Sequence, residues 1–144
     1  MKVVAIIQAR IGATRLLGKV LEDVLDKPML WHLIRRVQHA TRVNELVLAI
    51  PDGRQDDRLE DFARKYRVNY FRGSEEDVLS RYYEAANEFG AQIIVRITAD
   101  CPLIDPGATN RIVDEHCNSG ADYTSNTVKR TFPRGLDTIV RLGG

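Results

Sequence analysis

The densest run of reactive side chains lies at positions 9–19, Ala9-Arg10-Ile11-Gly12-Ala13-Thr14-Arg15-Leu16-Leu17-Gly18-Lys19. This is a composition that could cradle a polyphosphate. Glycine lets the backbone approach an anion closely, while Arg10, Arg15 and Lys19 supply the positive charge that a triphosphate needs. An exposed basic loop that only solubilises a strand end would have the same make-up, so spacing alone leaves both readings open. It does exclude two better-known phosphate loops. A P-loop places four residues between its first glycine and a Gly-Lys pair that Ser or Thr follows; here five residues separate Gly12 from Gly18, and Val20 follows Lys19. There is no Gly-x-Gly-x-x-Gly either, which leaves a dinucleotide site unsupported.

Two further stretches carry candidates. In Thr98-Ala99-Asp100-Cys101-Pro102-Leu103-Ile104-Asp105-Pro106, Asp100 offers one carboxylate. With substrate phosphates and waters, one such ligand suffices for Mg²⁺. Asp100 could equally shape a turn before Pro102, and Asp105 reads as the cap of a following helix. In Arg72-Gly73-Ser74-Glu75-Glu76-Asp77, a base or ribose could be read by Arg72, Ser74 and Asp77. The plainer reading there is a capping box from Ser74 to Asp77 and a surface cation at Arg72. His32, His39 and His116 have no metal-ligand spacing, and Cys101 has no identifiable base, so neither a metal cluster nor a nucleophilic dyad is indicated.

The elements that must position these residues follow from periodicity. Val3–Gln8 is a continuous apolar run, as in a strand buried on both faces. A helix is expected next, capped by Asp26 with Pro28 in its first turn, burying Leu30, Leu33, Ile34, Val37 and Ala40. Leu46–Ile50 reads as a second strand, and 55–66 as a helix burying Leu59, Phe62, Ala63 and Tyr66. Val68–Phe71 reads as a third strand. Ser74 should open a helix with Val78, Leu79, Tyr82, Tyr83, Ala86 and Phe89 inward, stopped by Gly90. Gln92–Ile97 is the fourth strand, and Asp105-Pro106 should start a helix reaching about Cys117. Such alternation predicts an α/β fold, a three-layer α/β/α sandwich around a mostly parallel sheet. In such sheets ligands sit outside the carboxyl ends of the strands, where the loops after the first, third and fourth strands fall.

At 144 residues the chain fits one domain, 1–144, by the rule of about 100–200 residues per domain. No apolar run approaches the roughly 18 residues of a membrane span, and nothing near Met1 reads as a signal peptide. With two unclustered cysteines, a cytoplasmic location is the default expectation. The net charge of +1 argues against a nucleic-acid partner. It also hides an asymmetry, because residues 1–50 carry eight Lys/Arg against four Asp/Glu.

The run Gln8–Lys19 resembles the A-R-x-G-S-x-R-L-P-x-K signature of the cytidylyltransferases, the family of the acylneuraminate and 3-deoxy-manno-octulosonate enzymes. It is nearest the spore coat polysaccharide biosynthesis protein F group. Further matching segments are Lys27–Leu30, Arg72–Tyr83, Val95–Asp105, Asp122-Tyr123 and Pro133–Asp137. The resemblance implies a nucleotide-diphospho-sugar transferase fold of Rossmann-like type. It implies a reaction in which CTP and an acidic sugar give a CMP-sugar and pyrophosphate with Mg²⁺, in surface or spore polysaccharide synthesis. Carried over by position, Arg10, Gly12, Thr14, Arg15 and Lys19 would hold the triphosphate, with Arg15 and Lys19 catalytic through neutralisation of the leaving group. Arg72, Ser74 and Asp77 would contact the base and ribose, and Asp100 would ligate the metal.

Ala13, Leu17 and Ile139 stand where the family usually has serine, proline and glutamate. Family members continue well past the position of Gly144, so the resemblance implies that these residues form the nucleotide half of a longer design. A non-catalytic nucleotide-binding module and a glycosyltransferase using a nucleotide-sugar are the alternatives. Apolar surface exposed by a missing part could pair two copies into a homodimer.

Overall fold

In the computed structural model the described residues are 2–11, 19–98, 107, 110, 111, 113, 114, 123–125 and 136–141. The apolar run Val3–Gln8 forms β1 at the centre of the sheet, pairing in parallel with β4 (Glu45–Pro51) on one side and β6 (Ile93–Thr98) on the other. Beyond β4 lies β5 (Asn69–Gly73), also parallel. Past β6 the sheet turns antiparallel with β8 (Leu136–Arg141) and then β7 (Tyr123–Ser125), giving the order β5-β4-β1-β6-β8-β7 among the described strands. The expected mostly parallel α/β sheet is therefore present.

The pleat of β1 divides the core. Val3, Ala5 and Ile7 face α1 (Met29–Gln38) and α2 (Asp57–Lys65), where Leu30, Leu33, Val37, Leu59 and Ala63 close the cluster. Val4 and Ile6 face the other way, packing with Tyr82, Ala85 and Ala86 of α3 (Val78–Glu88). Helices on both faces make three layers. Each fully buried Leu or Ile contributes about 1.5–3 kcal/mol, so the central strand is the stiffest base that the loops can have.

Several local expectations are corrected. Asp26 does not cap α1: Leu25 and Asp26, at φ 52° and 71°, form the two-residue turn of a small hairpin between β2 (Asp23–Val24) and β3 (Lys27–Pro28). Positive φ at both turn residues is what a tight hairpin needs, and Asp tolerates it. Pro28 takes the N-cap position of α1, with no side-chain cap. The third strand runs on through Arg72 and Gly73 because β4 continues to Pro51 and holds them in register. In α3, Leu79 and Tyr83 lie outward, 70% and 56% exposed, while Ala85 and Arg81 take inward places. Of the helix expected over Asp105–Cys117, residues 107, 110, 111, 113 and 114 are described and helical, and Val113 joins the α1 side of the core.

Candidate functional site

Because β1, β4, β5 and β6 are parallel, the segments that follow them emerge at one edge of the sheet. The first of these starts at Ala9, whose N–H donates to the Ala49 carbonyl at 3.2 Å, so β1 stays tied to β4 past its last strand residue. Arg10 is exposed beyond it. The Ile11 N–H then donates to Asp56 Oδ1 at 2.7 Å, and Asp56 is fully buried. The next described residue is Lys19, in a single 3-10 turn, Lys19–Leu21. Gly12, Thr14, Arg15 and Asp100 lie outside the described residues.

The second segment is stitched to its neighbours by polar contacts. Arg72 donates Nε–H to the Pro51 carbonyl at 2.8 Å and Nη2–H to the Gly53 carbonyl at 2.9 Å. It also meets two carboxylates, Asp57 at 3.2 Å and Glu60 at 3.6 Å. The guanidinium thus clamps the turn after β4 to the end of β5. Gln55 Nε2 donates to Glu75 Oε1 at 2.9 Å across the same junction. The Asp77 N–H donates to Ser74 Oγ at 3.0 Å, and the Ser80 N–H to Asp77 Oδ1 at 3.0 Å. Ser74 therefore closes the turn while Asp77 is the N-cap of α3, three residues along from the expected Ser74. A cap of this kind contributes about 1 kcal/mol.

Two functional-looking residues have no counterpart among the sequence candidates, Asp56 and Arg81. Arg81 is 1% exposed and donates Nη1–H to the Ser74 carbonyl. Its Nε and Nη2, and Oδ2 of Asp56, are buried without a hydrogen-bond partner among the described residues. Burial pushes the Arg81 pKa down; Tyr82, Asp56 and Glu75 act against that, and the Arg10 cation adds to it. Arg10, Asp56, Glu75 and Arg81 thus share one electrostatic neighbourhood at the carboxyl edge. Two sequence signals bore on Arg81: it lies inside the Arg72–Tyr83 segment that carries the resemblance, and it falls three residues after Val78 and four before Ala85, on the inward stripe of α3. Asp56 gave none, since Gln55-Asp56-Asp57 reads as a solvated helix start.

Beside this junction, a groove of about 450 Å³ opens between α3 and β6, lined by Asp77, Leu79, Ser80, Tyr82, Tyr83, Ile94 and Arg96. The Arg96 guanidinium lies 4.6 Å from the centre of the Tyr82 ring, a cation–π contact. Among the described residues no group of three or more His, Cys, Asp or Glu side chains is placed to hold a metal ion. No helix among them is long and apolar enough to cross a membrane.

This architecture has known counterparts. A family model described as cytidylyltransferase matches residues 4–135. The spore coat polysaccharide biosynthesis protein SpsF of Bacillus subtilis is 38% identical over 123 residues, covering 83% of this chain and 51% of that protein. The 3-deoxy-manno-octulosonate cytidylyltransferase of Geobacter sulfurreducens is 36% identical over 115 residues, covering 78% of this chain and 44% of that one. The solved structure of a cytidylyltransferase from Leptospira borgpetersenii superposes with a TM-score of 0.90 at 37% identity, covering 98% of this chain and 60% of that chain. The chain spans about half the length of the curated relatives it matches.

Proposed function

The chain belongs to the cytidylyltransferase family, and on that premise we propose that it carries the nucleotide site of an enzyme transferring CMP from CTP to an acidic sugar. The observation that carries this reading is the rooting of the Arg10–Lys19 loop. The Ile11 N–H at its start is fastened to the buried Asp56 carboxylate at the carboxyl edge of the sheet, beside the clamped Arg72–Asp77 segment. A triphosphate lying on that loop would bring its base and ribose toward Ser74 and Asp77.

In the reaction, a sugar hydroxyl oxygen bonds to the α-phosphorus of CTP, the α–β bridging P–O bond breaks, pyrophosphate leaves, and the hydroxyl proton goes to solvent. No covalent enzyme intermediate is required. Catalysis then rests on holding the nucleotide in line and on cations against the leaving group. Arg15 and Lys19 are assigned that second task, with Arg10 and the Thr14 hydroxyl holding the triphosphate and Gly12 giving the backbone its close approach. Arg72 supports the base-binding segment from beneath, since its donors are already engaged with Pro51, Gly53 and Asp57.

Magnesium belongs to the proposal through Asp100, a hard oxygen ligand of the kind that Mg²⁺ shares with substrate phosphates. When bound it would supply further charge against the pyrophosphate.

The test is pyrophosphate release from CTP with Mg²⁺ and a panel of keto-acid sugars. Release is expected for at least one sugar, with loss on Lys19→Ala and on chelation, and return on adding Mg²⁺. CTP binding without turnover across the panel would make the chain a nucleotide-binding module. Turnover that survives Lys19→Ala would remove the loop from the mechanism.

A further inference from the structure

The groove between α3 and β6 continues the candidate site away from the phosphate end. Asp77 and Ser80 line its mouth, Asp77 as the N-cap of α3 and Ser80 in the first turn. Deeper in, the walls are Leu79 and Tyr83 of α3 and Ile94 and Arg96 of β6. At about 450 Å³ the groove falls within the range of roughly 300–1,000 Å³ that small-molecule sites occupy. Arg96 stands two residues before the end of β6 at Thr98, about 6.6 Å along the strand, so a group that reaches it extends inward from the sheet edge.

Arg96 is held in place with one donor to spare. Its guanidinium lies 4.6 Å from the centre of the Tyr82 ring, and the Tyr82 hydroxyl donates to the Ile97 carbonyl at 3.4 Å. Arg96 Nε is buried and has no hydrogen-bond partner among the described residues. A buried donor left unmet is costly, and a ligand oxygen seated on it recovers that cost. One such donor suits one carbonyl oxygen, whereas a carboxylate is gripped best by two parallel N–H groups. The Ser80 hydroxyl gives its own proton to Glu84 Oε1 at 3.2 Å, so toward the groove it can only accept. A carbonyl for Arg96, an N–H for Ser80 and an alkyl end against Leu79, Tyr83 and Ile94 together describe a secondary amide. A polyhydroxyl chain would instead leave its hydroxyls unpaired against apolar walls.

We propose that this groove receives an N-acyl substituent of the acceptor sugar and that Arg96 is the residue that determines this specificity. The inference rests on the reading of the chain as the nucleotide site of a CMP transfer, whose acceptor must lie at the same sheet edge as the α-phosphorus. It adds which acidic sugars fit. The reacting hydroxyl stays at the edge, the sugar ring crosses the mouth at Asp77 and Ser80, and the acyl group points inward to Arg96.

NMR on the 144-residue chain tests this with N-acetylneuraminate and its analogue carrying a hydroxyl in place of the acetamido group, CTP affinity being measured on the same samples. The acylated sugar is expected to bind about tenfold more tightly, its acyl methyl protons to take the strongest saturation transfer, and the amides of Ser80, Ile94 and Arg96 to shift. Arg96→Leu is expected to bring the two sugar affinities within about twofold of each other and to leave CTP affinity at the parental value. Should Arg96→Leu fail to fold, Leu79→Ser, at an exposed position, is judged by the same loss of preference. Equal affinities in the parent protein overturn the proposal, as do a preference that survives the substitution and binding of neither sugar. Self-association that Leu79→Ser abolishes, with no acyl preference, would give the groove to a second copy of the chain. Acyl preference in a parent protein that does not bind CTP would remove the nucleotide reading and keep the groove assignment; CTP binding without the preference would do the reverse.

Discussion

Gly73 occupies the tightest place at the candidate site. An added Cβ would lie 2.9 Å from Phe71 Cε1 and 3.1 Å from Arg81 Cγ, and neither atom is free to retreat: Phe71 packs against the α3-side core, and Arg81 is 1% exposed. Overpacking of this kind costs about 1–3 kcal/mol. Gly73→Ala is therefore expected to lower the unfolding free energy by that amount, read as a lower urea midpoint at unchanged slope, and to weaken CTP binding because the displaced side chain is the one holding Ser74. Equal midpoints for the two proteins would refute the steric argument. Arg72 beside it shows what residue type alone conveys. Its position at a strand end was legible, but an arginine facing solvent and one donating to Pro51 and Gly53 carbonyls look the same in sequence. The burial of Asp56 was hidden for a related reason: it depends on a backbone N–H 45 residues away, and no local pattern encodes that distance.

Helix ends show where local chemistry speaks clearly and where it is silent. At the end of α3, Gly90 sits at φ 66°, with its N–H on the Asn87 carbonyl and the Ala91 N–H on the Ala86 carbonyl, a Schellman closure that a glycine announces in advance. The end of α2 has the same pair of bonds, Arg67 N–H to Arg64 and Val68 N–H to Ala63, but the left-handed residue is Arg67 at φ 57°. An L-residue with a Cβ loses roughly 1–2 kcal/mol in that conformation, whereas glycine does not. Arg67→Gly, at an exposed position, is accordingly expected to stabilise the protein by about 1 kcal/mol after the extra chain entropy of glycine is counted. Thermal or urea denaturation checks it, and a destabilised variant would show that the Arg67 side chain does something beyond closing the helix. The outward turn of Leu79 and Tyr83 has a comparable origin: both fit a helical stripe, but the inward places of α3 are taken by Arg81 and Ala85, and contact with the sheet decides between neighbouring stripes. Strand positions were the most legible because β1, β4 and β6 are buried on both faces and leave long apolar runs.

For the whole molecule, parallel strands settle where ligand chemistry can be. The sheet order places β1 between β4 and β6, so Ala9 and Arg10 leave the sheet between the ends of its two neighbours. Near-balance of charge, +1 in total, keeps long-range attraction weak and makes the local arginines decisive. A ligand that binds only the folded chain stabilises it by about 2.7 kcal/mol at a hundred times its dissociation constant. For a chain of this size, each kcal/mol moves the melting temperature by roughly 4 °C. Saturating CTP with Mg²⁺ should therefore raise the melting temperature by on the order of 10 °C, UTP and ATP should raise it less, and added salt should shrink the shift at fixed nucleotide concentration because the contacts are ionic. An equal shift with all three nucleotides would mean that only the triphosphate is held and that Ser74 and Asp77 read no base. No shift with any of them would remove the nucleotide site from this sheet edge, since a fold-wide stabilisation follows from binding wherever on the folded chain the contacts are made.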